Sequence, residues 1–409
     1  MRARCVAART GLLATLLCAV VVVVAATAAG ATDDPLYPRQ WNLPDIGAPR
    51  AWNTATGSGV IIGVVDTGVD LEHPDLKDKV VASANCLDPV RGCVDGGGQD
   101  DNGHGTEVSG IAAATTGNNR GLAAVAPDAV LVVAKALDAS GAGTVDDINN
   151  AIRWVVDRGA KVVNLSLGDE DFQLTSQVGT PLSPGLEYAW SHGAVPVLAS
   201  GNYRVDDADQ GSPNYGDVNA VVVGATSRGN EVALYSTSVG NAKWGMAAPG
   251  GEGQGGGVDD NIITTGMGGA YVAVAGTSAA APHVSGALAV LMSMGLGAEE
   301  AVQRLLATAD TDGSCGGGCQ GRLDLAAAVA LGGPAPPPTT PPAPDQAGAD
   351  SQSAAAVEPT VSDTGALPAG PGKDGLNGAV VAVAVVLVVG MAAATGGVGL
   401  RRLRAGGGW

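Results

Sequence analysis

The stretch GVIIGVVDTGVDLEHPDL, residues 59–76, decides how this chain is read. Residues 60–65 are a short apolar run rich in β-branched side chains, ended by Asp66-Thr67-Gly68. Such a run between turn signals reads as a buried strand. A carboxylate directly after a buried strand is costly unless hydrogen-bond donors surround it. Asp66 is therefore either a strand-end turn residue or part of a site.

Outward from this stretch, strand-like and helix-like segments alternate. Residues 129–135, 161–167, 194–200 and 219–224 read as further strands. Residues 105–114, 145–157, 279–294 and 298–308 read as helices. This alternation implies parallel βαβ units, an α/β fold whose mostly parallel sheet carries helices on both faces. In such sheets the site lies beyond the carboxyl ends of the strands. Two more polar residues suit that position. His104, in DNGHGTEVSG, stands between two glycines at the start of an Ala-rich helix. Ser278, in AGTSAAAPHVSG, opens the long apolar helix, where free N–H groups favour developing negative charge. Singly, His104 is a surface histidine and Ser278 an N-cap. Together the three supply a nucleophile, a general base and a group that orients the base, which is the logic of acyl transfer.

The order Asp, His, Ser and the strings VVDTGVDLEHPDL, GHGTEVSGIAAA and GTSAAAPHVSG resemble the subtilases, the subtilisin-like serine peptidases. VVNLSLG, VLASGN and MAAPG extend the likeness over nearly all of residues 34–330. The resemblance implies a three-layer subtilisin-like fold and protein or peptide substrates. It implies that Ser278 is the nucleophile, His104 the base and later acid, and Asp66 the residue that fixes the imidazole tautomer. Asn202 then matches the oxyanion-hole asparagine. Ser166, Leu167 and Gly168 match the backbone wall of the pocket for the residue before the cut. Gly141 and Gly143 match the loop beside the residues further upstream. Both segments would bind substrate as an added strand. Two positions depart from the family's common pattern: Glu107 stands where a histidine is frequent, and Ala279 where a methionine is. A carboxylate at 107 is expected to raise the pKa of His104.

Many subtilases hold calcium near the N-terminus. Asp34, Asp75 and Asn118 match the pattern of the thermitase-like branch, with the carbonyls of Thr115, Arg120 and Leu122 completing a set of hard oxygen ligands. The bland alternative is an ordinary acidic loop. Calcium there would be structural, tying the arm at Asp34 to the core.

The 409 residues carry a net charge of −18, so the chain is a poor candidate for binding nucleic acid. Hydrophobic residues make up 45% and aromatics only 3%, so the core must be built from Ala, Val, Leu and Ile. Residues 1–31 read as a signal peptide: a basic start, an apolar run, then small residues. Residues 32–332 form the catalytic domain, leaving no room after the signal for a folded inhibitory prodomain. Residues 333–375, rich in Pro and Ala, read as a disordered stalk. Residues 376–400 contain an uncharged apolar run from 379 to 400, long enough for a transmembrane helix. Residues 401–409, with Arg401, Arg402 and Arg404, form a short basic tail expected to stay cytoplasmic. The expected location is the plasma membrane, single-pass, with the catalytic domain outside. Four cysteines remain in the body as two close pairs, Cys86 with Cys93 and Cys315 with Cys319. Three pairings are possible, and the two local disulfides are favoured.

This architecture resembles that of the mycosins, membrane-anchored subtilases of type VII secretion, although the N-terminal arm is more thermitase-like. The resemblance implies secretion components as partners. It also keeps open a second function, a structural part of a secretion membrane complex in which proteolysis is secondary. A binding module with a dead site is a third reading, opposed by the filled catalytic positions.

Overall fold

Nine strands form one sheet. Their order is Cys319–Arg322, Trp244–Pro249, Val221–Thr226, Val195–Ala199, Val162–Leu165, Ile61–Asp66, Val130–Lys135, Val80–Asp88 and Gly92–Asp95. Neighbours run parallel except for the last two, which pair antiparallel. The structure is a computed structural model that describes residues 32–88, 90–167, 182–202, 215–312, 315, 318–332, 384–388 and 402–407. The expected signal peptide, the expected stalk and most of the segment expected to cross the membrane lie outside the described residues.

Strand alternation divides the core in two. Ile62 and Val64 join Leu131, Val133, Val197 and Val223 on one face. That face packs against Ala280, Val284 and Leu288 of the helix Thr277–Ser293 and against Val108 and Ala112 of the helix His104–Ala113. Val65, Val132, Val163 and Val222 point the other way. They meet Ile148, Ile152 and Val155 of the helix Val145–Asp157 and Leu186 of the helix Ser183–Ser191. This is the three-layer α/β architecture anticipated above. The helix Thr277–Ser293 is buried all round because its neighbours enclose it, as an apolar helix in water requires.

Four sheet strands escape a reading by apolar runs, among them the edge strand Gly92–Asp95, which buries no residue. Val80–Asp88 buries only Ala84 and Cys86, so it carries no continuous apolar signal. Trp244–Pro249 is fully buried yet holds no β-branched residue. Cys319–Arg322 buries a single position, Gly321. Both local disulfides are present, Cys86–Cys93 across the antiparallel edge pair and Cys315–Cys319 before the opposite edge strand.

Of the helix expected over 376–400, only residues 384–388 are among the described residues. The described part of that segment, Ala384–Val388, is a strand paired antiparallel with Arg402–Gly407. Arg402 and Leu403 in turn pair with Thr144 and Gly143. A valine-rich run has high strand propensity in water, whereas a bilayer would force its backbone to bond internally as a helix. Among the described residues no single helix is long and apolar enough to cross a membrane.

Candidate active site

Three adjacent strands deliver polar residues to one end of the sheet. Ile61–Asp66 ends on Asp66 itself. Val162–Leu165 runs into Ser166, and Val195–Ala199 into Ser200, Gly201 and Asn202. Two helices start at the same end, one with His104 as its first residue and one with Ser278 as its second. His104, Ser278 and Asn202 share one cleft with Glu107, Ile111 and Ala279.

Asp66 is fully buried, and its Oδ1 accepts from the Thr67 N–H at 2.7 Å and pairs with His104 Nδ1 at 2.8 Å. A carboxylate accepts only, so His104 Nδ1 carries the proton. His104 Nε2 is then the free basic nitrogen, and it is buried with no hydrogen-bond partner. The other histidines differ. His283 spans Asn42 and the Ala279 carbonyl, each at 2.8 Å, and burial pushes its pKa down to about 4. His73 bonds the Ala270 carbonyl and accepts from the Asp75 N–H. His192 stacks on Tyr188 at the surface. For His104, burial would lower the pKa, but the charge and hydrogen bond of Asp66 outweigh it, with Glu107 and Asp100 adding, and the value is raised. Glu107 is itself raised, to about 7, by burial and by the charges of Asp100 and Asp66, while His104 opposes the shift.

The His104 loop is held from behind by Asp100. Its Oδ1 accepts from Thr67 Oγ1 and from the N–H groups of Asn102 and Gly103, and its Oδ2 from the N–H and hydroxyl of Thr106. Gly105 is required where it stands, because a Cβ there would lie 2.1 Å from the Gly68 carbonyl oxygen. Its N–H donates to Thr67 Oγ1 at 2.9 Å.

Ser278 Oγ lies 3.4 Å from the Ser166 carbonyl, at the limit of a hydrogen bond, and makes none to His104. Such contacts tighten when substrate binds. The serine backbone is anchored through its carbonyl. Pro282 has no N–H to donate to Ser278 O in the usual helical bond. Ser166 Oγ donates to that carbonyl instead at 2.9 Å, and it accepts in turn from Asn164 Nδ2 at 2.9 Å. Ser285 Oγ closes the chain onto Asn164 Oδ1 at 2.8 Å. Asn202 Oδ1 is occupied by the N–H and hydroxyl of Thr277 at 2.8 and 3.0 Å. That leaves its Nδ2 group for another acceptor. Sequence reasoning missed Thr277, Asn164, Ser285 and Asp100; Pro282, five residues into a helix, was the signal that Ser278 O needs a side-chain donor.

Ser166 and Leu167 are buried, Ser166 against Ser278, and Gly168 lies outside the described residues. Gly141 closes a tight turn with its N–H on the Asp138 carbonyl at 2.8 Å, and Gly143 opens the short strand before the helix capped by Thr144.

All six residues named for calcium converge on the loop 115–122. Asp34 accepts from the N–H of Gly117 at 2.8 Å and of Asn118 at 3.1 Å. Asp75 accepts from Asn118 Nδ2 at 3.0 Å and from the Tyr271 hydroxyl at 2.8 Å, and its carbonyl accepts from the Thr115 N–H. The Arg120 N–H bonds Asn118 Oδ1, and the Leu122 N–H lies 3.5 Å from Asp75 Oδ2. Among the described residues no group of three or more His, Cys, Asp or Glu side chains is placed to hold a metal. Two carboxylates, an amide and carbonyls still suit a hard cation. Burial raises the pKa of Asp34 despite its backbone hydrogen bonds, and Thr115 Oγ1 is buried without a partner. Asn118 would have to turn its oxygen inward.

Comparison with known proteins gives the family. Residues 57–325 match the subtilase family. Thermitase from Thermoactinomyces vulgaris is 38% identical over 282 residues, which span 68% of this chain and 91% of thermitase. Subtilisin Savinase from Lederbergia lenta is 37% identical over 254 residues, 61% of this chain and 83% of that protein. A solved protease structure from Pseudoalteromonas arctica superposes with a TM-score of 0.64 at 28% identity, covering 73% of this chain and 99% of the other. The chain belongs to the subtilase family and is a subtilisin-like serine protease.

Proposed function

We propose that Ser278, His104 and Asp66 carry the peptidase chemistry, with Asn202 at the oxyanion. The observation that carries this is the Asp66–His104 hydrogen bond, which leaves Nε2 as the unpartnered basic nitrogen in a cleft shared with Ser278. His104 Nε2 takes the Ser278 proton as Oγ attacks the peptide carbonyl. Asn202 Nδ2 and the Ser278 N–H at the helix start receive the oxyanion. His104 then gives its proton to the departing amine, and the C–N bond breaks. Water attacks the resulting ester, and the same proton shuttle returns Ser278. Asp66 keeps the tautomer and stabilises the imidazolium. Ser166, Leu167, Gly168, Gly141 and Gly143 bind the acyl half of the substrate through their backbones. An internally quenched peptide is cleaved by the wild type and spared by Ser278→Ala if this assignment holds.

The enzyme works at the outer face of the plasma membrane in this reading. The support is the uncharged run over 379–400 followed at once by three arginines. An anchored tail cannot also pair with Gly143 and Thr144, so the two placements exclude each other. Alkaline extraction of membranes tests this: the full chain stays in the membrane pellet, and a chain ending at residue 375 does not.

Calcium at Asp34, Asp75, Thr115, Asn118, Arg120 and Leu122 would neutralise two buried carboxylates and fix the N-terminal arm. It takes no part in the chemistry. A mycosin-like role is supported by the order of segments, signal, catalytic domain, Pro-rich stalk and apolar run. In the second reading the domain is a structural part of a secretion complex; Ser278→Ala then leaves secretion intact while deletion of the protein abolishes it.

A further inference from the structure

We propose that Glu107 makes the leaving-group side of the cleft select a cationic side chain, Lys or Arg, on the residue whose amine departs. This rests on the peptidase assignment above.

The side is fixed by the chemistry. The departing nitrogen takes its proton from His104 Nε2, so it must lie against that atom. The acyl half lies on the other side of Ser278, toward Ser166. The residue that follows the cut therefore runs along the helix that begins at His104. Glu107 is the next position on the same face of that helix, three residues on. It lines the same cleft, with Val108, Ile111 and Ala279 around it.

The carboxylate is unspent. Among the described residues it makes no hydrogen bond and no ion pair, while Thr264 bonds only its backbone carbonyl. The charges that act on it are His104, Asp100 and Asp66, and none belongs to a Lys or Arg. A half-buried acid without a partner is costly, and an incoming cation relieves that cost. The free space inside the cleft is about 10 Å³, room for one water, so a long cationic side chain meets the carboxylate at the mouth of the cleft. Met267, 42% exposed, lies beside Gly103 at the start of the same helix. A Cβ on Gly103 would sit 3.7 Å from Met267 Cγ and 3.9 Å from Glu107 Oε1, so Met267 and the acid flank one point.

Acyl transfer to added amines tests this directly, because an amine that attacks the acyl-enzyme must occupy the leaving-group side. In that step the new C–N bond forms, the ester bond to Ser278 Oγ breaks, and the amine proton passes through His104 to Oγ. The full chain is acylated with an activated peptide ester. It is then offered argininamide, lysinamide or leucinamide at equal concentration, and the ratio of amide to hydrolysed product is read by mass spectrometry. Each ratio comes from one acyl-enzyme, so changes in His104 basicity largely cancel. The expected result is a preference of about tenfold for argininamide and lysinamide over leucinamide, falling to within about twofold in Glu107→Gln. Glu107→Lys should turn the preference toward the α-amide of glutamic acid. An acyl-enzyme that treats the three amines alike, or a preference that survives in Glu107→Gln, overturns the proposal while leaving the peptidase assignment intact. Failure to form any acyl-enzyme overturns both.

Discussion

Asp66 and Asp100 are two buried aspartates a short distance apart, both behind His104, and they are used in opposite ways. Asp100 receives five donors on its two oxygens and spends its whole capacity on the loop from Thr67 to Thr106. Asp66 receives two donors on Oδ1, one of them His104 Nδ1, and its Oδ2 has no partner. The difference teaches what separates a structural carboxylate from a working one. A saturated carboxylate is a fixed part of the backbone. One left partly unsatisfied keeps its charge available to the imidazolium that forms during reaction.

The comparison can be broken by substitution. The largest effect belongs to the nucleophile: Ser278→Ala should lower kcat by about 10⁶, the scale found in serine peptidases of this kind. Asp66→Asn should lower kcat by about 10⁴ through the wrong imidazole tautomer, with little change in melting temperature. If Asp66→Asn unfolds the protein instead, the two aspartates do the same job. Asn202→Ala should cost about 10²–10³ in kcat with KM nearly unchanged, as for loss of an oxyanion donor in this family. Asp100→Ala should act on stability. It strands five donors, and denaturant unfolding should show a loss of about 3 kcal/mol. Residual activity per folded molecule should fall far less than in Asp66→Asn.

Glu107 sharpens the contrast at the smallest scale. Only neutral His104 can accept the serine proton, so activity rises as pH climbs through the raised pKa of His104. Removing the Glu107 charge lowers that pKa. The acid limb of kcat/KM in Glu107→Gln should therefore move to lower pH, by less than about one unit. An unmoved limb would mean that Glu107 takes no part in setting the base.

Much of this was legible in the sequence, for a physical reason. The apolar runs ending at Asp66, Leu165 and Ala199 are buried on both faces, so composition alone marks them as strands. The residues directly after them must then gather at one end of the sheet. Asp66 and Asn202 are brought together in that way, and His104 and Ser278 reach the same end from the starts of two helices. What was not legible depends on contacts between distant segments. Asp100 reads as one of two adjacent acids in GQDDNG, and its five donors arrive only when the loop closes. Ser166 was read as part of a substrate wall, yet its hydroxyl holds the carbonyl that Pro282 leaves unbonded. The Val-rich segment near the C-terminus reads as a helix or a strand depending on whether lipid or water surrounds it, and composition cannot choose between them.

The central claim is that Asp66 and His104 activate Ser278 in a site already formed within this chain. Labelling the full chain with a fluorophosphonate, beside Ser278→Ala and Asp66→Asn, tests it most directly. The account predicts one label per molecule on Ser278, none in Ser278→Ala, and labelling slowed by orders of magnitude in Asp66→Asn. A well-folded wild type that takes no label, or labels at the same rate with Asn at position 66, would contradict it.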